Sequence, residues 1–125
     1  MEGCLCLTGS AGEPGKHAEG NKTRATGGAA HSEGISTLAS GLSSHAEGWT
    51  TVASGNYSHA EGNLTIASEA YTHAEGYSTN ASGPFSHTEG SDTVASGAFS
   101  HAEGSHSTAS GSYAHAQGCY TTASG

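Results

Sequence analysis

Residues 45–58 read HAEGWTTVASGNYS, and versions of this 14-residue unit follow one another along almost the whole chain. Each unit opens with a histidine, and together these histidines form what we term the His column. Its members are His17, His31, His45, His59, His73, His87, His101 and His115, at a constant spacing of 14 residues. A period this strict indicates a repeat architecture in which each unit is one turn of a solenoid.

Each unit consists of two similar halves. Residues 44–48 read SHAEG and residues 51–55 read TVASG, so both halves follow the pattern Ser/Thr-x-Ala-x-Gly. Successive side chains of a β-strand point to opposite faces, so the Ser/Thr and Ala positions share one face. This face of small residues is the predicted solenoid core. Its alanines are Ala18, Ala46, Ala53, Ala60, Ala67, Ala74, Ala81, Ala95, Ala102, Ala109, Ala116 and Ala123.

Two short strands per unit, with turns at each Gly-x-x, predict an all-β fold: a parallel β-solenoid with 14 residues per coil and about eight coils. Coils stacked at the strand spacing of about 4.8 Å would form a rod roughly 40 Å long. A helix is disfavoured, because glycine or a β-branched residue recurs every few positions. We assign residues 17–125 to the solenoid. Residues 1–16 break the pattern and are assigned to an irregular N-terminal connector or a degenerate first coil.

The charge balance excludes some classes of partner. Three Lys/Arg stand against 11 Asp/Glu in 125 residues, a formal net charge of −8, which argues against a nucleic-acid partner. The apolar runs are too short to span a bilayer, so no membrane insertion is expected. Residues 1–7, MEGCLCL, lack the basic and apolar regions of a Sec signal peptide.

A Glu column accompanies the His column, two residues further along each unit. It consists of Glu19, Glu33, Glu47, Glu61, Glu75, Glu89 and Glu103, and Gln117 takes the place in the last unit. The column seven residues after each histidine varies freely, from Arg24 through Val52 to Thr122. Recent duplication of the unit would have kept every column uniform, whereas this column varies. The constraint therefore falls on the His/Glu face, and we predict that this face is the contact between chains. We hypothesise that the histidines donate to the glutamates, within or between chains, and keep a raised pKa, so that stability would be lost at high pH.

Other uses of the His and Glu columns are less favoured. An active site needs one pocket with differently tuned groups, whereas this ladder repeats equivalent groups. We therefore expect no enzyme and assign no catalytic residue. Imidazole and carboxylate are ligands for zinc or nickel, so metal binding along the ladder stays an alternative, although we assign no metal and no other cofactor. An ice-binding threonine face is disfavoured, because the column Thr23, Thr37, Thr51, Thr65, Thr79 and Thr93 is predicted to point inward.

Aromatic residues occupy one further column, two residues before the histidines. This aromatic column consists of Tyr57, Tyr71, Phe85, Phe99 and Tyr113. We predict a stacked corner beside the histidine strand. The rings would either cap that corner or pack against another chain.

The heptad Ser/Thr-x-Ala-x-Gly-x-x, paired into 14-residue coils over residues 16–125, resembles the YadA-type head repeats of trimeric autotransporter adhesins. The resemblance implies a left-handed parallel β-roll with three chains packed around one axis. A core built mainly of methyl groups buries little apolar surface, which also favours a homo-oligomer.

Three cysteines, Cys4, Cys6 and Cys119, cannot all pair within one chain. Cys4 and Cys6 lie on one face of an extended segment and are poorly placed to bond each other. Cys119 lies about 40 Å away along the predicted rod, so either could reach it only in a molecule stacked end to end. Free thiols, and a metal site made of Cys4, Cys6 and a histidine, remain alternatives.

These features together predict a self-assembling structural subunit of an extracellular or spore/cell-surface fibre, exported without a recognisable Sec signal. Homotrimers would stack head to tail and be cross-linked by disulfides, a design similar to that of bacterial spore appendages. The expected partner is the chain itself, and the sequence identifies no host or surface ligand. The alternative is a discrete trimeric adhesin or a phage tail-fibre receptor-binding head.

Overall fold

The structure, a computed structural model, describes residues 15–125. Cys4, Cys6 and nearly all of the predicted N-terminal connector lie outside the described residues. Within them, five-residue strands alternate with two-residue strands, and there is no helix. The long strands are β1 (His17–Asn21), β3 (His31–Ile35), β5 (His45–Trp49), β7 (His59–Asn63), β9 (His73–Tyr77), β11 (His87–Ser91), β13 (His101–Ser105) and β15 (His115–Cys119). The short strands are β2 (Arg24–Ala25), β4 (Leu38–Ala39), β6 (Val52–Ala53), β8 (Ile66–Ala67), β10 (Asn80–Ala81), β12 (Val94–Ala95), β14 (Thr108–Ala109) and β16 (Thr122–Ala123).

The strands form two eight-stranded sheets, one of the long strands and one of the short strands, each in sequential order. Neighbouring strands are parallel and pair at an offset of one unit, so His45 aligns with His59 and Val52 with Ile66. The chain is therefore a parallel β-solenoid of about eight coils with about 14 residues per coil. The predicted all-β solenoid is confirmed at this level.

Backbone hydrogen bonds tie each coil to the next outside the strands as well. His31 N–H donates to the Ser44 carbonyl at 2.9 Å, and Ser40 N–H donates to the Ala53 carbonyl at 2.9 Å. In the opposite direction, Ser36 N–H donates to the Asn21 carbonyl at 2.8 Å. These bonds run along the solenoid axis, so every column of side chains is held in register.

The core between the sheets contains only small side chains. Ala46, Ala53 and Thr51 are fully buried, and Ser44 is 1% exposed. Of the twelve alanines predicted for the core, eleven are buried, whereas Ala123 in β16 is only partly buried and packs against the others. Ala25, Ala30, Ala39 and Ala114 are buried too and were not in the predicted set.

Two glycine columns shape the turns for different reasons. The glycine that ends each His-x-Glu-Gly tetrad adopts a positive φ, 116° at Gly48, which favours glycine. The glycine of the Ala-Ser-Gly triad, as at Gly41, allows close approach instead. A Cβ there would overlap the carbonyl oxygen of Gly55 in the next coil. This glycine also starts a tight turn, in which Ser44 N–H donates to the Gly41 carbonyl at 3.3 Å.

Each coil also places non-glycine residues in the left-handed region. One such position follows each long strand, as at Ser36 with φ of 58°. The other is the third residue of the tight turn, as at Ser43 with φ of 52° and Tyr57 with φ of 60°. A type II turn has a positive φ at this position and normally takes glycine or asparagine there. Strain at these positions is spread evenly along the solenoid.

Candidate functional site: the histidine–glutamate ladder

The His and Glu columns lie on the outer face of the long-strand sheet. Strand alternation turns Ala46 into the core, so His45 and Glu47 on either side of it point outward. The same alternation holds in every long strand, because its second residue, which is Ala, Ser or Thr, is buried. The two columns therefore form one continuous ladder along the solenoid.

The imidazole rings of neighbouring coils stack on one another. Ring centroids lie 4.7 Å apart in the His45–His59 pair, with the planes within 1° of parallel. Along the whole column the centroid distances are 4.7–4.8 Å, and the largest interplanar angle is 22°. Because this distance equals the strand spacing, the stack follows directly from the parallel in-register pairing.

Carboxylate oxygens of the Glu column lie close to the Nε2 atoms. Within one coil, His45 Nε2 is 3.1 Å from Glu47 and His59 Nε2 is 3.4 Å from Glu61. Contacts to the preceding coil are found as well, and His115 Nε2 lies 3.1 Å from Glu103. Both columns are about one-third to two-fifths exposed over the central coils, so solvent reaches this face.

Proximity does not give good hydrogen bonds throughout the ladder. His31 Nε2 pairs with Glu33 at 2.9 Å, and His115 Nε2 pairs with Glu103, both with hydrogen-bond geometry. Five central histidines have a buried Nε2 that makes no hydrogen bond in the described part of the chain: His45, His59, His73, His87 and His101. At His45 the carboxylate is near enough but lies in the wrong direction. Donation from histidine to glutamate within one chain is therefore not the general arrangement over the described residues, and donation between chains stays a prediction.

The hypothesis of a raised histidine pKa is wrong for the two histidines that show a shift. The pKa of His59 is lowered, chiefly because burial disfavours the charged imidazolium and next because of the neighbouring imidazoles of His73 and His45. The pKa of His87 is lowered for the same reasons, with His73 and His101 as neighbours. The adjacent glutamates act in the opposite direction but are outweighed. The rise expected from the glutamates does not occur, because burial and the stacked imidazoles both disfavour the charged form.

The aromatic column forms a second stack at the corner before the long strands. Its centroid distances are 4.7–5.2 Å and its interplanar angles 2–11°. The rings remain about half exposed, from 48% at Phe85 to 77% at Tyr113. This leaves a continuous apolar strip beside the His column.

The remaining outward positions are mixed. The variable column on the short-strand sheet includes Leu38 and Val52, which are partly buried, and Ile66, which is 39% exposed. The threonine column lies inside, where Thr65 is fully buried. Cys119 is an exposed free thiol at the end of β15. No helix among residues 15–125 is long and apolar enough to cross a membrane.

Neither the protein-family models nor the curated proteins give a match to this chain. The function therefore has to be argued from the geometry of the coils themselves.

Two features of the ladder and of the turn before it were not predicted from the sequence. The left-handed φ of 60° at Tyr57 has no sequence signal, because tyrosine is a poor residue for that conformation. The convergence of two imidazoles and a carboxylate between coils was also not foreseen, although the identical columns and the strand spacing would have allowed it to be worked out.

Proposed function

We propose that this protein is a self-assembling structural subunit of an extracellular or spore/cell-surface fibre. In this proposal three chains form a left-handed β-roll trimer, and trimers stack head to tail through disulfide bonds. The observation that carries the proposal is the uninterrupted in-register ladder, in which each coil has the same cross-section as the next. A ladder with one repeating cross-section can be continued by another copy without any new geometry.

The trimer is supported by what a single chain leaves uncovered. The core contains only alanine, serine and threonine side chains, whereas the large apolar side chains are on the outside. Trp49 is 56% exposed and Tyr57 is 50% exposed. In a threefold arrangement with the His/Glu face towards the axis, the neighbouring chain would cover the aromatic column beside that face. Exposed apolar strips of this kind mark association surfaces.

End-to-end joining is supported by Cys119, an exposed free thiol at the end of β15. An exposed thiol can bond Cys4 or Cys6 of a second molecule. This joint is consistent with the odd number of cysteines, because pairing within one chain would always leave one thiol free. The resemblance to YadA-type head repeats favours the same trimeric architecture, and the chain itself is the partner.

A discrete trimeric adhesin or phage-fibre head is the second candidate. The exposed aromatic strip favours it, since tyrosines with half-exposed rings are also common in recognition surfaces. In that case the trimer would not grow, and the strip would contact a ligand instead of another copy.

Negative-stain electron microscopy of the purified protein, with and without reductant, distinguishes the fibre from the discrete trimeric head. Long uniform fibres that yield covalent multimers on non-reducing gels would support the fibre. The Cys119→Ser variant should then lose the multimers, whereas Ser124→Cys added to that variant should restore some of them. Compact rods of about 40 Å, unchanged by reductant, would rule out the fibre and leave the trimeric head.

A further inference from the structure

We propose that the ladder binds divalent transition-metal ions of the zinc, nickel and copper class. Each ion would sit between two successive coils, held by the Nε2 atoms of two stacked histidines and by the carboxylate of the glutamate between them. The group His45, Glu47 and His59 is one example. Two imidazoles and one carboxylate form a donor set typical of these metals, with positions left for water or a further ligand.

The geometry repeats along the solenoid. The described residues contain six groups with three potential ligand atoms, and within each group these atoms lie within 4.8 Å of one another. Five of the groups use successive pairs from the His column, from His31–His45 to His87–His101. A metal site would thus be created by the strand register and not by any single residue.

The state of the Nε2 atoms is a second, independent indication. Five of them are buried and make no hydrogen bond, although a carboxylate is close by. A buried polar atom without a partner is costly, and a metal ion would satisfy two Nε2 atoms and a carboxylate oxygen at once. Pairwise hydrogen bonds therefore leave these five Nε2 atoms unsatisfied, and a cation shared between neighbouring coils would supply the missing partner.

Binding of an ion requires the two rings to tilt and approach each other, because parallel rings direct their Nε2 lone pairs along parallel lines. The rings are 4.7 Å apart, and tetrahedral coordination with bonds of 2.0–2.1 Å would bring the two Nε2 atoms to roughly 3.4 Å. Rotation about the side-chain torsions can supply that approach, because the His45 and His59 side chains are each 35% exposed and are attached to a fixed backbone. The glutamate is more flexible still and lies 3.1 Å from His45 Nε2.

Electrostatics favours a cation at this face. The seven glutamates form a row at the strand spacing, and all three Lys/Arg of the chain lie within residues 16–24. The central and C-terminal coils therefore have no lysine or arginine to offset the row. Divalent ions placed along it would reduce the repulsion between successive carboxylates.

Sharing of ligands sets the stoichiometry. Successive groups have one histidine in common, so His59 belongs both to the group with His45 and to the group with His73. One Nε2 atom binds one ion, so two adjacent groups cannot both be filled. At most three of these five successive groups can be occupied together, and the sixth group adds at most one ion, which predicts no more than four strongly bound ions per chain.

The inference rests on contacts within one chain and does not depend on the fibre. If three ladders also meet at a trimer axis, as proposed above, the ions would offset repulsion between chains too. Sedimentation of the metal-free protein reports the assembly separately, so failure of one proposal is distinguishable from failure of the other.

The test is calorimetric titration of the metal-free protein with Zn²⁺, with visible absorption of Co²⁺ as a probe of nitrogen coordination. We expect binding that saturates at no more than four ions per chain and is not displaced by a tenfold excess of Ca²⁺. The triple variant H45Q/H73Q/H101Q removes a ligand from all five successive groups and should weaken binding about tenfold or more. The control is H106Q, because His106 lies off the column and is paired with Asp92.

A second variant tests the proposal in case the triple variant does not fold. Glu33, Glu47, Glu61, Glu75 and Glu89 are all replaced by glutamine, a residue that the column already accepts at Gln117. Its strand signal in circular dichroism should be unchanged while Zn²⁺ affinity falls about tenfold or more. Wild-type protein that binds no Zn²⁺, or binding that persists in both ladder variants or disappears in H106Q, would overturn the proposal.

Discussion

Single atoms decide how closely the coils approach one another. At Gly97 the backbone of the next coil is so near that a Cβ would overlap the carbonyl oxygen of Gly111. Gly28 lies in an earlier coil, one residue after the position that corresponds to Gly97. An added Cβ at Gly28 would have the Leu42 Cδ1 atom as its nearest neighbour, at 3.2 Å. The first contact is with fixed backbone and the second with the end of a movable side chain. The same substitution should therefore have different effects at the two positions.

We expect Gly97→Ala to lower the free energy of unfolding by about 1–3 kcal/mol, as overpacking does in a close-packed core. Gly28→Ala should change it by less than about 0.5 kcal/mol, as is usual for positions with room to adjust. Urea unfolding followed by circular dichroism measures both. Equal effects at the two positions would show that the close approach at Gly97 is not what limits the stacking.

The buried threonine hydroxyls provide a second matched pair. Thr65 Oγ1 is buried and makes no hydrogen bond in the described chain, whereas Thr79 Oγ1 donates to the Glu75 carbonyl at 3.2 Å. Thr65→Val should therefore raise the free energy of unfolding, because an unsatisfied hydroxyl is replaced by a methyl group of similar shape. Thr79→Val should lower it by about 0.5–1.5 kcal/mol, since a hydrogen bond is lost. Thermal unfolding of both variants checks this, and a shift of the same sign in both would contradict it.

At the scale of the strands, the side-chain stacks couple each coil to its two neighbours. An imidazole in the middle of the His column, such as that of His59, has another imidazole on each side. A proton added to one ring is therefore unfavourable for the next, and partial burial adds to the effect. The pKa values of His59 and His87 are lowered in this way, so both imidazoles favour the neutral form.

Stability should fall on acidification for this reason. The pKa values of His59 and His87 are lowered by burial and by neighbouring imidazoles, so the unfolded chain takes up protons more readily than the folded one. Their contribution is fully present above the unfolded value of about 6.5 and is lost as pH falls through the folded pKa. We expect the melting temperature of the metal-free protein to decrease between pH 7.5 and pH 5.

His59→Gln/His87→Gln should reduce that decrease, and His106→Gln, which lies off the column, should leave it unchanged. Melting curves over the pH range give the answer. A melting temperature that rises on acidification would restore the idea of raised histidine pKa values.

The repeat allowed the coils, their length and their inward face to be predicted. Small side chains alternate at Ser44, Ala46, Thr51 and Ala53, and a core made of small side chains can only be formed if these four residues point inward. Stacking of Tyr57 on Tyr71 followed from the period in the same way. The sign of the His59 pKa shift did not follow, since it depends on the balance of burial, imidazoles and carboxylates in three dimensions. The direction in which each Nε2 atom points depends on side-chain torsions that the sequence does not specify.

At the scale of the whole molecule, stability is distributed along one dimension. A coil in the middle of the solenoid, such as residues 59–72, pairs with the coil before it and the coil after it. No residue of β7 pairs with a strand two coils away. Solenoids of this type are described by the stability of each repeat and of each interface between neighbours.

Deletion of residues 59–72 should therefore leave the fold intact, because His73 then follows Ser58 and every column keeps its register. We expect the strand signal per residue in circular dichroism to be retained, with a melting temperature lower by only a few degrees. Deletion of residues 59–70 removes two residues fewer and shifts the columns behind it, so that variant should lose cooperative unfolding. If both deletions behave alike, in-register pairing is not the source of stability.

The constant advance of about 4.8 Å per coil has a consequence at the level of the gene. Insertion or deletion of a DNA segment that encodes one 14-residue unit would keep both the reading frame and the register of the columns. Each such event would lengthen or shorten the rod by one step and would leave its width and its surface pattern as they were. The number of repeats in the reading frame thus sets the length of the rod, and selection can change this length without changing the structure of any coil.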